Sequence, residues 1–164
     1  MRGDAVTGDA VAPTGGARIR TATASDLDAI MAIEHASFGA SAWERATMQA
    51  EVASEWGRYV LAEDEAGRAV GYAGLRAVGV EGDVQTIAVD AGARGRGIGR
   101  ALLAELLAEA ARRGVRELFL EVRADNPVAR ALYASVGFRE IGVRPRYYQP
   151  EDVDAVVMKR EEER

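Results

Sequence analysis

"GARGRGIGRALLAELLAEAARRG", residues 92–114, places four glycines and three arginines in its first nine positions and then turns into a strongly apolar helical pattern. Leu102, Leu103, Leu106, Leu107 and Ala110 fall on one stripe, and Gly114 supplies a stop. Glycine costs a helix roughly 1 kcal/mol relative to alanine, so its crowding at a helix mouth needs a reason. The first turn of a helix exposes unpaired N–H groups and a partial positive charge, which suits a phosphate. Gly95, Gly97 and Gly99 would let an anion approach those groups, and Arg94, Arg96 and Arg100 would add charge-assisted contacts. The alternative is a plain strand-to-helix loop with solvated arginines. The segment lacks both G-x-x-x-x-G-K-[ST] and G-x-G-x-x-G, so neither a P-loop nor a dinucleotide turn is expected.

Working outward, the pattern alternates between strands and helices. "ARIRTAT" (17–23) reads as a strand, and Ser25 with Asp28 three residues on is an approximate capping box for a helix through "LDAIMAIEHASF". A second helix is expected from Trp43 to about Ser54, followed by strands at 58–64, 68–78 and 82–90. After the helix of the opening stretch come a short apolar strand at 117–122, a helix from Asn126 to Val136 ending at Gly137, and strands near 138–146 and 155–159. The order β-α-α-β-β-β-α-β-α-β-β predicts an α/β protein, a mixed sheet with helices on both faces. Ligands of such sheets favour the carboxyl ends of strands, where the glycine-rich turn lies.

The chain's 164 residues suit one domain, here residues 17–164, behind a flexible N-terminal tail at 1–16 made of small and polar residues. That tail has no apolar core of the signal-peptide kind, and no window is apolar enough for a membrane span, so a cytoplasmic, non-membrane protein is expected. With no cysteine and one histidine, the sequence offers no disulfide, no cysteine nucleophile and no metal set. His35, among Ile30, Ile33 and Phe38, reads as structural or superficial. A net charge of −5 argues against nucleic-acid binding.

"ARGRGIGRALL" resembles the [RQ]-x-x-G-x-[GA] pyrophosphate loop of the GNAT acyltransferases, with Arg94, Gly97 and Gly99 at the fixed positions. "TIAVD" before it and "NPVARALYASVGFRE" after it resemble the same family at the expected distances, and the likeness covers roughly residues 17–160. It implies the GNAT fold and acetyl-CoA as donor, with no metal. The pyrophosphate would lie on the backbone of Gly95, Arg96, Gly97, Ile98, Gly99 and Arg100, the pantetheine arm would pair with Ile87, Ala88 and Val89, and Asn126 would lie near the cofactor. "LFLEVRADNPVARALYASVGF" and "RPRYYQPEDVDAVVMK" further resemble the RimI-type N-terminal alanine acetyltransferases of bacterial ribosomal proteins. Two departures stand out: Ala42 replaces a usual proline, and "AGA" precedes the loop.

Acetyl transfer to an α-amine needs that amine neutral, although its ordinary pKa of about 7.7–8.0 leaves it mostly protonated at neutral pH. A carboxylate within reach can take the proton. Glu121, at the end of strand 117–122, matches the subgroup's general base; the alternative is a salt-bridged strand-end residue. Tyr133 matches the family's general acid for the departing thiolate; the alternative is a packing aromatic. Tyr147 and Tyr148 resemble the paired tyrosines of a peptide cleft, although on a regular strand only one could face it. Trp43 could border that cleft or anchor the second helix. Glu151, Asp152 and Asp154 form an acidic rim suited to a basic peptide. The expected acceptor is a protein N-terminus, most naturally the N-terminal alanine of a small-subunit ribosomal protein, and a monomer is favoured. Lysine side chains or small amines are the alternative acceptors.

Overall fold

The computed structural model describes residues 2–5 and 16–162. A four-residue strand, β1 (Arg2–Ala5), precedes the strands and helices foreseen: β2 (Arg18–Thr21), α1 (Leu27–Phe38), α2 (Arg45–Ala53), β3 (Gly57–Glu63), β4 (Ala69–Val78), β5 (Glu81–Val89), α3 (Ile98–Arg112), β6 (Glu117–Arg123), α4 (Pro127–Ser135), β7 (Arg139–Tyr148) and β8 (Val153–Glu161). The sheet runs β2-β3-β4-β5-β6-β8-β7, and β1 pairs with β5 outside that path. β5 and β6 are parallel, joined through α3, and the other neighbours on the path are antiparallel. Of the expected flexible tail, Arg2–Ala5 is therefore strand, while Met1 and residues 6–15 lie outside the described residues.

The helix signals translate into caps. The first cap is not Ser25 with Asp28: Thr23 and Asp26 form the capping box, the Thr23 N–H donating to Oδ2 of Asp26 at 2.8 Å. The cap thus lies two residues upstream of Ser25, and a 3-10 turn at Ala24–Asp26 leads from it into α1 at Leu27. α3 starts at Gly97 in the left-handed region, φ 80°, and stops at Gly114, φ 78°. Asn126 caps α4 by accepting from the Ala129 N–H at 3.1 Å, with Pro127 as the first helical residue.

Each face of the sheet buries its own apolar cluster. On one, Leu102, Leu103, Leu106 and Ala110 of α3 and Leu132 and Tyr133 of α4 pack on Leu75, Val84, Ile87, Leu118 and Leu120. On the other, Leu27, Ile30, Met31 and Phe38 of α1 and Met48 of α2 pack on Tyr59, Leu61, Tyr72 and Ala88. Tyr59 lies so close over Gly74 that a Cβ there would stand 2.2 Å from its ring, which accounts for glycine in mid-strand. No described helix is long and apolar enough to cross a membrane.

Candidate active site

The feature that makes a site is a parting of two strands. β5 and β6 pair only at Glu81–Glu117, Gly82–Leu118 and Asp83–Phe119. Beyond that point β5 runs on to Val89 and β6 to Arg123 without pairing each other. A β-bulge accompanies the parting: Gly74 faces Thr86 and Leu75 faces Val84, so Gln85 is one residue extra on β5. Its amide is held by the Tyr59 hydroxyl, which donates at 2.8 Å, and by Glu51, which accepts at 2.9 Å.

At the open end lies the glycine-rich turn. Gly95 and Gly97 both take positive φ, 79° and 80°, a conformation suited to glycine. The Ala101 N–H is the first of α3 to bond back, to Gly97 O at 3.0 Å, so the N–H groups of the first turn have no carbonyl of the helix to bond. The arginines are partly committed: Arg94 Nε donates to Val89 O at 3.0 Å, tying the turn to the end of β5, and Arg96 reaches Gly92 O at 3.5 Å. The turn is thus a preformed cradle of donors suited to a pyrophosphate. The β5 edge expected to meet the pantetheine arm, Ile87 to Val89, is the edge along which β1 lies, with Arg2 opposite Thr86 and Ala5 opposite Ala88.

Glu121 lies on the parted stretch of β6 and is buried, with its carboxylate 3.3 Å from Nε of Arg144 on β7. Tyr133 is fully buried on α4, its ring edge-on to Phe138 at 5.9 Å. Because side chains alternate along a strand, Glu121 shares a face of β6 with Phe119 and Arg123, opposite to Leu120 and Val122, which join the α3–α4 core. That places Glu121 on the α1 side of the sheet.

On that side a cavity of about 310 Å³ opens between Ser37, Phe38 and Ser41 at the end of α1, Arg123, Asp125 and Asn126 after β6, and Glu151 in the β7–β8 turn. Arg123 forks onto Asp125 at 3.0 and 3.1 Å, reaches Glu151 at 3.3 Å, and lies 5.2 Å over the Tyr148 ring. Those bonds from Arg123 hold the Asp125 carboxyl below the usual range. Tyr147 and Tyr148 are not split between two faces as on a regular strand. Arg146 takes φ 54°, the ladder breaks between Arg144 and Tyr148, and the two rings meet edge-on at 5.1 Å. Tyr148 is buried and Tyr147 is 40% exposed. The acidic rim is mostly turn structure: Asp154 accepts from the Arg146 N–H and Asp152 from the Gln149 amide. Trp43 is half-buried against the α1–α2 cluster, and His35 is exposed.

A buried polar group escaped the sequence reading. Glu34 of α1, fully buried, accepts from the Trp43 N–H at 2.7 Å and from the Tyr72 hydroxyl, which also lies 3.3 Å from Thr86 Oγ1 on β5. The signal existed: Leu27, Ile30, Met31, Glu34 and Phe38 share one helical stripe, and a carboxylate on it had to have partners. Among the described residues no cluster of three or more His, Cys, Asp or Glu side chains could hold a metal.

Residues 27–138, which include the parted strands, the glycine turn, Glu121 and Tyr133, match the acetyltransferase (GNAT) family. The chain belongs to that family. The GNAT domain is 46% identical over 148 residues to an uncharacterized protein of Mycobacterium leprae, covering 87% of this chain and 40% of that one, so the chain spans well under half of that relative's length. It is 47% identical over 127 residues to the N-alpha-acetyltransferase RimI of Mycobacterium tuberculosis, with 75% of this chain and 78% of that one covered. Among solved structures it is similar to the ribosomal-protein-S18-alanine N-acetyltransferase from Escherichia coli, with a TM-score of 0.81 and 35% identity over 88% of this chain and 93% of that one.

Proposed function

We propose that this GNAT domain transfers acetyl from acetyl-CoA to the α-amine of a protein N-terminus, its acceptor being the N-terminal alanine of a small-subunit ribosomal protein. Glu121 acts as general base and Tyr133 as general acid. The observation that carries the reading is Glu121 itself: a buried carboxylate on the stretch of β6 that β5 has released, on the sheet face where the cavity opens. The names of the Mycobacterium tuberculosis and Escherichia coli relatives support the choice of acceptor.

The donor supplies an acetyl thioester, held at its pyrophosphate by the N–H groups from Gly95 to Arg100 and near Asn126. The chain's groups then do three things. Glu121 accepts a proton from the α-ammonium, freeing its lone pair. Backbone N–H groups of the parted β5 polarise the thioester carbonyl as the N–C bond forms. Tyr133 gives its hydroxyl proton to the sulfur as the C–S bond breaks, and the second proton shed by the acylated nitrogen passes to solvent, from which the phenolate is reprotonated. Trp43, Tyr147 and Tyr148 border the acceptor's path on the α1 side.

The test is acetyl-CoA turnover, read by peptide mass, on one panel. It holds peptides beginning with Ala, Ser and Met-acidic residues, an internal-lysine peptide with a blocked N-terminus, and polyamines. Mass gain confined to the α-amine of alanine peptides is the expected result. Gain on the blocked lysine peptide or on polyamines alone would sink the acceptor assignment and leave the family intact.

A further inference from the structure

We propose that Arg123 is a positioning residue for the acceptor: it clamps the β7–β8 turn to the end of β6, so that Tyr148 and Glu151 form a fixed wall of the acceptor cleft. This rests on the reading of Glu121 as base and of the α1-side cavity as the acceptor's path. Glu121 and Arg123 are two residues apart on one strand face, about 7 Å at the usual strand rise. The distance from the candidate base to the clamp is therefore set by the backbone of β6.

Three kinds of contact converge on this guanidinium. Its fork onto Asp125 fixes the chain where β6 passes into α4, next to the Asn126 cap. Its third bond crosses to Glu151 in the β7–β8 turn. Its Cζ lies over the Tyr148 ring, 5.2 Å from the centroid, and that ring meets the Tyr147 ring. The ladders agree with this placement, since Arg123 and Arg144 both pair with Ala155 of β8 and so flank its small side chain on one face. Arg144 in turn lies 5.7 Å over Tyr147 and ion-pairs with Glu121. The two tyrosines are thus held between two arginines, one anchored to the turn and one to the candidate base. Of these, Arg123 is the more buried, its side chain 18% exposed against 59% for Arg144. The bonds of Gln149, to Asp152 and to Arg146 O, lie within the β7–β8 turn, whereas that of Arg123 to Glu151 reaches it from β6. A guanidinium is needed because no other side chain forks onto one carboxylate, reaches a second and stacks on a ring together.

The experiment is steady-state kinetics of Arg123→Met and Arg123→Lys, varying the acceptor and acetyl-CoA separately, with thermal melts alongside. The acceptor is whichever compound the unsubstituted chain acetylates best. The methionine variant is expected to raise the acceptor KM about tenfold, the size of a lost charged hydrogen bond, with kcat and the acetyl-CoA KM little changed. Lysine keeps the charge without the fork and should recover only part of the loss. Glu151→Gln, an exposed turn substitution, should raise the same KM, and its effect should largely vanish in the Arg123→Met background. An unchanged acceptor KM in both Arg123→Met and Glu151→Gln overturns the proposal, as does a parallel rise in the acetyl-CoA KM. If Arg123→Met does not fold, Glu151→Gln alone decides by the same criterion. Failure of the α-amine reading shows instead in the unsubstituted chain, as absence of α-amine products.

Discussion

Glu121 illustrates how one carboxylate can matter for rate and little for stability. Its ion pair is with Arg144, whose side chain is 59% exposed, and pairs with so accessible a partner contribute at most about 1 kcal/mol. Glutamine keeps the shape and removes the basicity. Glu121→Gln is therefore expected to lower kcat by about 10²–10⁴-fold, the range for a lost general base, while acetyl-CoA binding measured by calorimetry stays unchanged. Turnover near the original rate would take the carboxylate out of the mechanism. Glu121, Tyr133 and the glycines could be proposed from the sequence through the family resemblance, because its motifs each lie within one strand–helix unit. The roles of Arg123 and Arg144 could not, because their distant partners, Glu151 and Tyr148 for the one and Glu121 for the other, arrive only when β8 inserts between β6 and β7. Glu34 was legible in principle, as a charge on an apolar stripe, but its partners Tyr72 and Trp43 belong to other elements.

At the scale of elements, β2, the start of α1 and β3 are joined by one guanidinium. Arg20 donates to both oxygens of Asp26, at 2.9 and 2.7 Å, and reaches Glu63 on β3. These bonds from Arg20 lower the Asp26 pKa from 3.8 to about 2, and those from Arg20 and Arg18 lower that of Glu63. The folded chain then keeps a charge where the unfolded chain takes up a proton. The stabilisation is fully present above the ordinary 3.8 and is lost as pH falls towards about 2. Arg20 is 35% exposed, so the contribution is held to about 1–2 kcal/mol. Arg20→Met should flatten this acid limb in urea titrations taken across that pH window; an unaltered limb would mean that other carboxylates set it. Asp83 runs the other way: burial, with the charges of Glu121 and Glu81, raises its pKa, so its share of stability falls as pH rises above 3.8. The Arg20–Asp26 pair belongs to an element junction that periodicity did not resolve. The cap lay two residues upstream of its expected place, and β7 runs to Tyr148 rather than 146 because its ladder breaks at Arg146 and resumes at Tyr148–Val153.

Over the whole molecule, the fold leaves one strand edge contested. β5 has two edges. One is paired with β4 from Gly71 to Val78. The other is taken by β6 only as far as Asp83 and then meets β1, at Arg2–Thr86 and Ala5–Ala88. A pantetheine arm bonding the backbone from Ile87 to Val89 needs that same edge, and two partners cannot share one row of N–H and C=O groups. On the proposed placement of the pantetheine arm, binding of acetyl-CoA displaces β1, and the free energy of the β1 pairing subtracts from the donor's affinity. The strand is four residues long and pairs on one side of β5, so the subtraction should be modest, about 1 kcal/mol or a fivefold change in Kd. A chain lacking residues 1–5 should accordingly bind acetyl-CoA more tightly, and at one subsaturating donor concentration its melting temperature should rise further above its own unliganded value than that of the full chain. Equal shifts would mean that β1 yields the edge without cost, and a smaller shift after truncation would mean that β1 helps to hold the donor. Calorimetric titration of the two chains separates these outcomes, since the mutual exclusion is a statement about Kd and not about turnover.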